Sequence, residues 1–536
     1  MSNRINAKCL AWQAVSALCL VCAFYWTRTF LLNWSALDHQ AYFSEVFLHQ
    51  VLLKIPVILL ITIFCFSVYI RFDEIRWETL FGGKRLRHVL TLISCILAWQ
   101  FSLYEYNFYF DQWHWLERLL LLFSAILVFK HPVFCFPVML LVQIIGFQFN
   151  YPLHALSWTD KRLPFDILIL FNCYLVVRAW LKMPRELFVY LTLCLVGSFY
   201  FVPAITKLSL ANSPSVWVFE NELGNLFVSS YINGWMSHIP ENTVLYIASV
   251  IHLWNPVLLL ITVGSQIAGL FILSHKKYAL IWLTGVSLLH VGIVVVSGIW
   301  FWKWVCVDLG IVFLLISLNS EEESSLYRTP SLLLSLPLIY FSSYYFAPPA
   351  LGWMDSRFNN LFSMEGTSQS GQTYEMNSDV FGPYGLIFAQ NRFFYLVQGP
   401  ILTDTYGGVH DEKRFRSLQR ATARDISKIK HLYGISLWDE GAGRRFAEFV
   451  SRYVCVLNKK GGPTKMSILA PPRHIYGKPA KNRIDYKDVL EAVKVRFRET
   501  LYSGTSIDHV NDTIIMEIRV CAVVKNGGVE IENPAT

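Results

Sequence analysis

Charge is scarce in this sequence. Of its 536 residues, Asp, Glu, Lys and Arg make up 16%, where a soluble domain carries about a quarter. That deficit argues against a wholly soluble protein. The signatures of common soluble enzymes are missing too. There is no GxxxxGK phosphate loop, no GxGxxG after a strand, no HExxH, no GxSxG and no paired CxxC knuckles, so nucleotide-driven and zinc-dependent mechanisms have no motif support. Internal repeats and low-complexity segments are absent as well.

What the chain has instead is apolar surface. Hydrophobic residues make up 54% and aromatics 15%, the mean hydropathy is +0.40, and the apolar residues fall in runs too long for core helices. This composition predicts a polytopic membrane protein. The formal net charge of +8 suits one, because cytoplasmic loops collect Lys and Arg, and it gives no ground for a nucleic-acid partner. Most cysteines sit in the apolar runs, where a thiol behaves as a small hydrophobe. Cys19 and Cys22 form a CxxC with no charge nearby to lower a pKa. Only Cys455 and Cys521 lie in the polar C-terminal part, where an oxidising compartment would allow them to pair.

Arg4 and Lys8 precede an apolar run from Cys9 to about Leu32. No small-residue cleavage site follows it, which predicts a retained helix rather than a cleaved signal peptide. Further runs lie near 50–70, 88–108, 115–129, 132–149, 165–182, 187–207, 244–273, 278–297, 300–318 and 331–349. That makes about eleven transmembrane helices, with a re-entrant pair an alternative where the fourth and fifth meet at Lys130-His131-Pro132. Basic residues mark alternate loops: Arg71, Arg76, Lys84, Arg85 and Arg87, then Arg178, Lys182 and Arg185, then Lys276 and Lys277. The positive-inside rule makes their side, and the N-terminus, cytoplasmic. The intervening loops are rich in aromatics, as from Tyr104 to Trp115, and the loop Asn319–Tyr327 is acidic. The fold class is therefore an α-helical polytopic bundle over 1–350, followed by an extracytoplasmic α+β domain over 351–536.

In that tail, Gly385 to Gln398 reads as a β-hairpin turning at Gln390-Asn391-Arg392. Amphipathic helices are predicted around 411–432 and 442–457, a strand near 464–470, a helix near 486–501 and a last strand from Thr513 to Val524. Arg414, Arg416, Arg420, Arg424, Lys428 and Lys430 recur along one helix. They form a solvated face or a docking surface for an acidic peptide or lipid headgroups.

The candidate site residues follow from this topology. Lys207 closes the seventh helix. A lysine at a membrane span's end either snorkels to the interface or serves a function. His252, His290, Lys303 and His114 fall toward the same side, which predicts a polar cavity open to the outside. A lysine there would lose charge by desolvation and become a usable general base. Asp308, inside the tenth helix, needs a partner within the bundle.

The stretch Tyr200-Phe201-Val202-Pro203-Ala204-Ile205-Thr206-Lys207-Leu208 resembles the membrane signature of the vitamin K-dependent gamma-carboxylase and its bacterial relatives, the horizontally transferred transmembrane (HTTM) family. Val250-Ile251-His252 is similar to that family's Val-His helix. Leu289-His290, followed by Gly298 to Trp304, is similar to its His-containing helix and aromatic turn. The upstream histidine matches His114, within Trp113-His114-Trp115. The resemblance covers roughly residues 90–320. Pro203-Ala204 stands where the family favours Ala-Gly, Thr206 replaces a second lysine, and the loop from Ser209 to Val216 is longer.

The resemblance implies reduced vitamin K or another quinol as cofactor, with Lys207 the base that deprotonates it. Oxygen would then generate a stronger base that removes a γ-proton from a glutamate side chain, and CO2 would add to the carbanion. The partners implied are membrane lipid and a secreted peptide held by the tail. Two other readings stand beside it. One is a non-catalytic relative acting in maturation, export or immunity of a secreted toxin-like peptide. The other is a transporter, which the clustering of polar residues on one side disfavours.

Overall fold

The computed structural model describes residues 7–33, 54–103, 115–155, 157–463, 469–477, 484–521 and 531–532. Each apolar run is built around a helix: α1 Ala7–Asn33, α2 Ile55–Ile70, α3 Gly83–Ser102, α4 Trp115–Val128, α5 Cys135–Asn150, α6 Thr159–Trp180 and α7 Leu187–Leu208. After the short helices α8 Pro214–Phe219 and α9 Leu223–Ile232 come α10 Glu241–Ile267, α11 Lys276–Ser297, α12 Trp302–Ile316, α13 Ser320–Leu326 and α14 Thr329–Tyr340. Among the described residues, six stretches are long and apolar enough to cross a membrane: Ala11–Leu32, Pro132–Asn150, Thr159–Trp180, Leu187–Leu208, Glu241–Phe271 and Lys276–Ser297. The architecture is compatible with a multi-pass membrane protein.

The hub is α7. Its apolar stretch is 94% buried, against 22% for Glu241–Phe271, and a helix that is apolar all round belongs in the middle of a bundle. The peripheral α10 and α11 instead present Leu253 and Ile281 outward. Close packing at the hub depends on Gly197. A Cβ there would lie 2.7 Å from Gly269 O and 3.1 Å from Ile339 Cδ1.

The basic loops gather at one end of the bundle. Arg71 donates to Ala179 O at 3.4 Å, Arg178 to Thr79 O at 3.4 Å, and Trp12 Nε1 to Lys182 O at 3.1 Å. The acidic stretch joins them as α13. Glu323 pairs with Lys276 at 3.0 Å, and Glu322 accepts from Gly82 N at 3.1 Å. Its carboxylates neutralise the basic end.

Beyond the helices lies a small antiparallel sheet of order β3-β2-β7-β8-β9, where β2 is Phe358–Ser368, β3 Thr373–Met376, β7 Leu490–Tyr502, β8 Ile507–Arg519 and β9 Ile531–Glu532. Short pairs join β1 Met354–Asp355 to β5 Gly408–Val409 and β4 Pro400–Ile401 to β6 Ile435–Ser436. The remaining helices are α15 Gly385–Gln390, α16 Glu412–Gln419, α17 Ile426–Tyr433 and α18 Glu440–Lys460. Along β7, Val493, Val495 and Phe497 are buried with Phe446 and Val450 of α18. A disulfide between Cys455 and Cys521 ties α18 to the end of β8, so the two polar-region cysteines do pair.

Several tail expectations need correction. The stretch 385–398 is no hairpin: α15 stops at Asn391, which takes a left-handed φ of 61° as a helix cap. A short apolar run fits a strand or a buried turn of helix equally well, and stacking of Phe388 on Phe381 at 3.6 Å decides for helix. The helix expected near 486–501 is replaced by a turn followed by β7, which starts at Leu490. Its Glu, Lys and Arg suggest helix, but Val and Phe at every second position pack against β2 and α18. The helix expected over 411–432 is broken into α16 and α17. Its basic face is partly consumed, with Arg414 on Asp404 at 3.0 Å, Arg416 on Glu220 at 2.8 Å, and Lys430 on Glu499. Most of the strand expected near 464–470 lies outside the described residues.

Two outcomes follow. Gly197→Leu should destabilise the detergent-purified protein by about 1–3 kcal/mol through overpacking, seen as a lowered Tm; an unchanged Tm would mean the contact with the Gly269 turn is loose. Cys455→Ser should cost the tail about 2–5 kcal/mol. Reductant should lower the wild-type melting temperature in the same way and leave that of the variant unmoved.

Candidate functional site

The last turn of α7 meets the first residues of the tail. Gly352 makes the approach possible, since a Cβ there would sit 2.7 Å from Thr206 Cγ2 and 2.9 Å from Lys207 N. Here the Lys207 ammonium donates to Leu351 O at 2.6 Å, to Gln266 Oε1 at 3.3 Å and, most weakly, to Pro203 O at 3.5 Å. It also lies 5.7 Å from the centre of the Trp217 ring, within cation–π range. The side chain turns into the protein rather than away from it.

Beside it the tail contributes Asp355, which is buried. Asn221 Nδ2 donates to Asp355 Oδ2 at 2.9 Å and Trp353 Nε1 to Oδ1 at 2.9 Å. The backbone is held as well, with Asp355 N donating to Asn221 Oδ1 at 2.5 Å and Asn225 Nδ2 to Asp355 O at 2.9 Å. Asn255 of α10 completes the shell, accepting from Leu223 N at 2.9 Å and donating to Asn221 O at 2.5 Å. Burial pushes the Asp355 carboxyl up to about 7; the Asn221 and Trp353 bonds and the Lys207 ammonium pull the other way. A carboxyl in that range exchanges its proton near neutral pH.

The other expected residues sit in different surroundings. His252 has 66% of its side chain exposed and lies 3.9 Å from Glu222. His290 is buried, with Nε2 3.0 Å from the Tyr200 hydroxyl, and that hydroxyl donates to Asp308 Oδ2 at 2.5 Å. Asp308 thus has its partner inside the bundle. Lys303 is buried against Asp160 at 2.5 Å, and the same carboxylate holds Lys161 at 2.9 Å. His114 lies outside the described residues. Lys207, His252 and His290 thus each have partners of their own, with none in common.

Sequence reasoning missed Asp355 and its amides. The usable signal was Asn255, a polar residue inside an apolar run. Asp355 itself carries no signal until the tail is folded against α7. A second element it missed is the strap 469–477, which covers the turn between α11 and α12. Trp300 N donates to His474 O at 2.6 Å, Tyr476 N to Gly298 O at 3.1 Å, and Trp302 Nε1 to Pro472 O at 3.0 Å. Burial pulls the His474 imidazole down to about 4, so it sits there uncharged. No protein-family model, no curated protein and no solved structure matches this chain.

Asp355 gives a pH signature. Its folded pKa lies above the ordinary value of 3.8, so its contribution is complete below that value. It is lost as pH rises toward about 7, because the folded state then resists ionisation. Thermal melts across this range should show wild type losing stability relative to Asp355→Asn. Parallel profiles would show that the carboxyl is already charged when folded.

Proposed function

We propose that this chain is a multi-pass membrane enzyme of the carboxylase-like kind, acting on a secreted peptide on the side where the tail sits, with Lys207 and Asp355 as its acid–base pair. The observation that carries this reading is the junction itself: a half-buried lysine and a buried carboxyl poised near 7 come together where the tail joins the bundle. Asp355 acts on Lys207 through its charge rather than through a direct bond, and the lysine that gives up its proton is left as a neutral amine, the form that acts as a base. The amides of Asn221 and Asn225 hold Asp355 in place, and Asn255 in turn holds Asn221.

A reduced quinone fits the residues present. Trp217 offers an aromatic wall, and the 3.5 Å bond from Lys207 to Pro203 O is the one a quinol hydroxyl would replace. When bound, the quinol would supply the reducing electrons for reaction with oxygen. Lys207 would take its hydroxyl proton, and Gln266 would orient the lysine.

One observation favours a second reading. The bond from Lys207 to Leu351 O, at 2.6 Å, is that of a clamp fastening the tail to α7. A non-catalytic protein for maturation, export or immunity of a secreted peptide would need no more. Mass spectrometry of secreted peptides separates the two. The enzyme reading expects a gain of one CO2 on an acidic residue, lost in both Lys207→Ala and Lys207→Arg, because a guanidinium stays protonated. Retention of function in Lys207→Arg, or no mass gain in wild type, would leave the clamp.

A further inference from the structure

Deeper in the bundle, the hydroxyl of Tyr200 on α7 bridges two groups from other helices. His290 Nε2 of α11 lies 3.0 Å away and Asp308 Oδ2 of α12 lies 2.5 Å away. All three side chains are at least nine-tenths buried, at 1%, 4% and 0% relative exposure. A hydroxyl has one proton and here faces two groups that can each accept it. The outer atoms of the trio, His290 Nδ1 and Asp308 Oδ1, are buried without a hydrogen-bond partner among the described residues, as is the neighbouring indole nitrogen of Trp304. Buried polar atoms left open in this way mark a place for water or for proton exchange. The rings of Trp282 and Trp304, 5.1 and 6.0 Å from Tyr200, and Phe301, 5.3 Å from His290, wall the trio with apolar surface.

We propose that Tyr200, His290 and Asp308 form a proton relay inside the helical bundle, passing one proton between carboxyl and imidazole through the phenol. In one state Asp308 is protonated and donates to Tyr200 Oη, Tyr200 donates to His290 Nε2, and His290 carries its proton on Nδ1. In the other, the Asp308 proton has moved to Tyr200 Oη while the tyrosine's own proton has moved to Nε2. That leaves a carboxylate, a neutral tyrosine and an imidazolium. The proton count is the same in both, and Tyr200 ends as it began. His290 Nδ1 and Asp308 Oδ1 are the two ends at which water delivers or takes up the proton. The relay does not depend on the carboxylase-like reading, since neither Lys207 nor Asp355 is part of it. The other titratable groups close to it are His474, which acts on His290 across Phe301, and Cys306, which lies between Lys303 and Asp308 electrostatically.

Infrared titration of the full chain in lipid nanodiscs tests this. The Asp308→Asn and His290→Gln variants assign the carboxyl and imidazole bands. A coupled pair titrates in macroscopic steps that belong to the pair rather than to either residue, and loss of the one shared proton empties both states of the relay, so in wild type the carboxyl band and the imidazolium band should be lost with a common midpoint. In Tyr200→Phe the two should part by about one pH unit or more. If Tyr200→Phe does not fold, fluorotyrosine at position 200 keeps the shape and should move both bands by the same amount. A carboxyl band that titrates with no imidazole change, or a common midpoint retained without the hydroxyl, would overturn the relay.

Discussion

A charge or amide buried among apolar side chains must find its partner inside the protein, and much of this architecture follows from that requirement. The helices alone do not meet it. Lys207 donates its shortest bond to Leu351 O, Arg162 donates to Ala347 O, Trp302 to Pro472 O and Trp99 to Leu469 O. Each of those acceptors lies after the last apolar helix. Lys303 is satisfied within the bundle by Asp160, and Arg28 by Asp166 at 3.3 Å. Removing one partner of such a buried pair is costly, about 3–5 kcal/mol. The tail is thus part of the bundle's polar accounting.

The same requirement explains where the chemistry gathers. Because α7 is enclosed over most of its length, most polar groups on it must meet another helix or the tail. Tyr200 meets α11 and α12, while Lys207, two turns on, meets α10 and the tail. One helix therefore carries two separate titratable clusters, and the position of Gly197 against the Gly269 turn sets how closely its neighbours approach.

Much of the helical part was legible in the sequence, because long apolar runs leave the backbone little choice but helix. Lys207 and Asp308 were also legible as polar groups that a bundle must accommodate. Their partners were not. Asp355 lies more than a hundred residues from Lys207 and joins it only through tertiary packing, and the strap around His474 gives no periodic signal. The tail misled because strands such as β7 carry Glu, Lys and Arg on their outer face, and that composition favours helix when alternation is not weighed first. His252 shows the reverse: a plausible position in sequence, and a side chain that faces outward beside Glu222.

The central claim is that the tail supplies partners for polar groups of the bundle, so that the two form one unit, and their contact can be trapped directly. Ile299 and Ile475 are partners in an antiparallel bridge, a spacing at which two cysteines can form a disulfide. The double variant Ile299→Cys/Ile475→Cys, expressed in membranes and oxidised mildly, should yield the 299–475 linked peptide in near-quantitative amount by mass spectrometry. Linkage no greater than that of a control pair on the far side of the tail would mean that the strap does not rest on the bundle, and would contradict the claim.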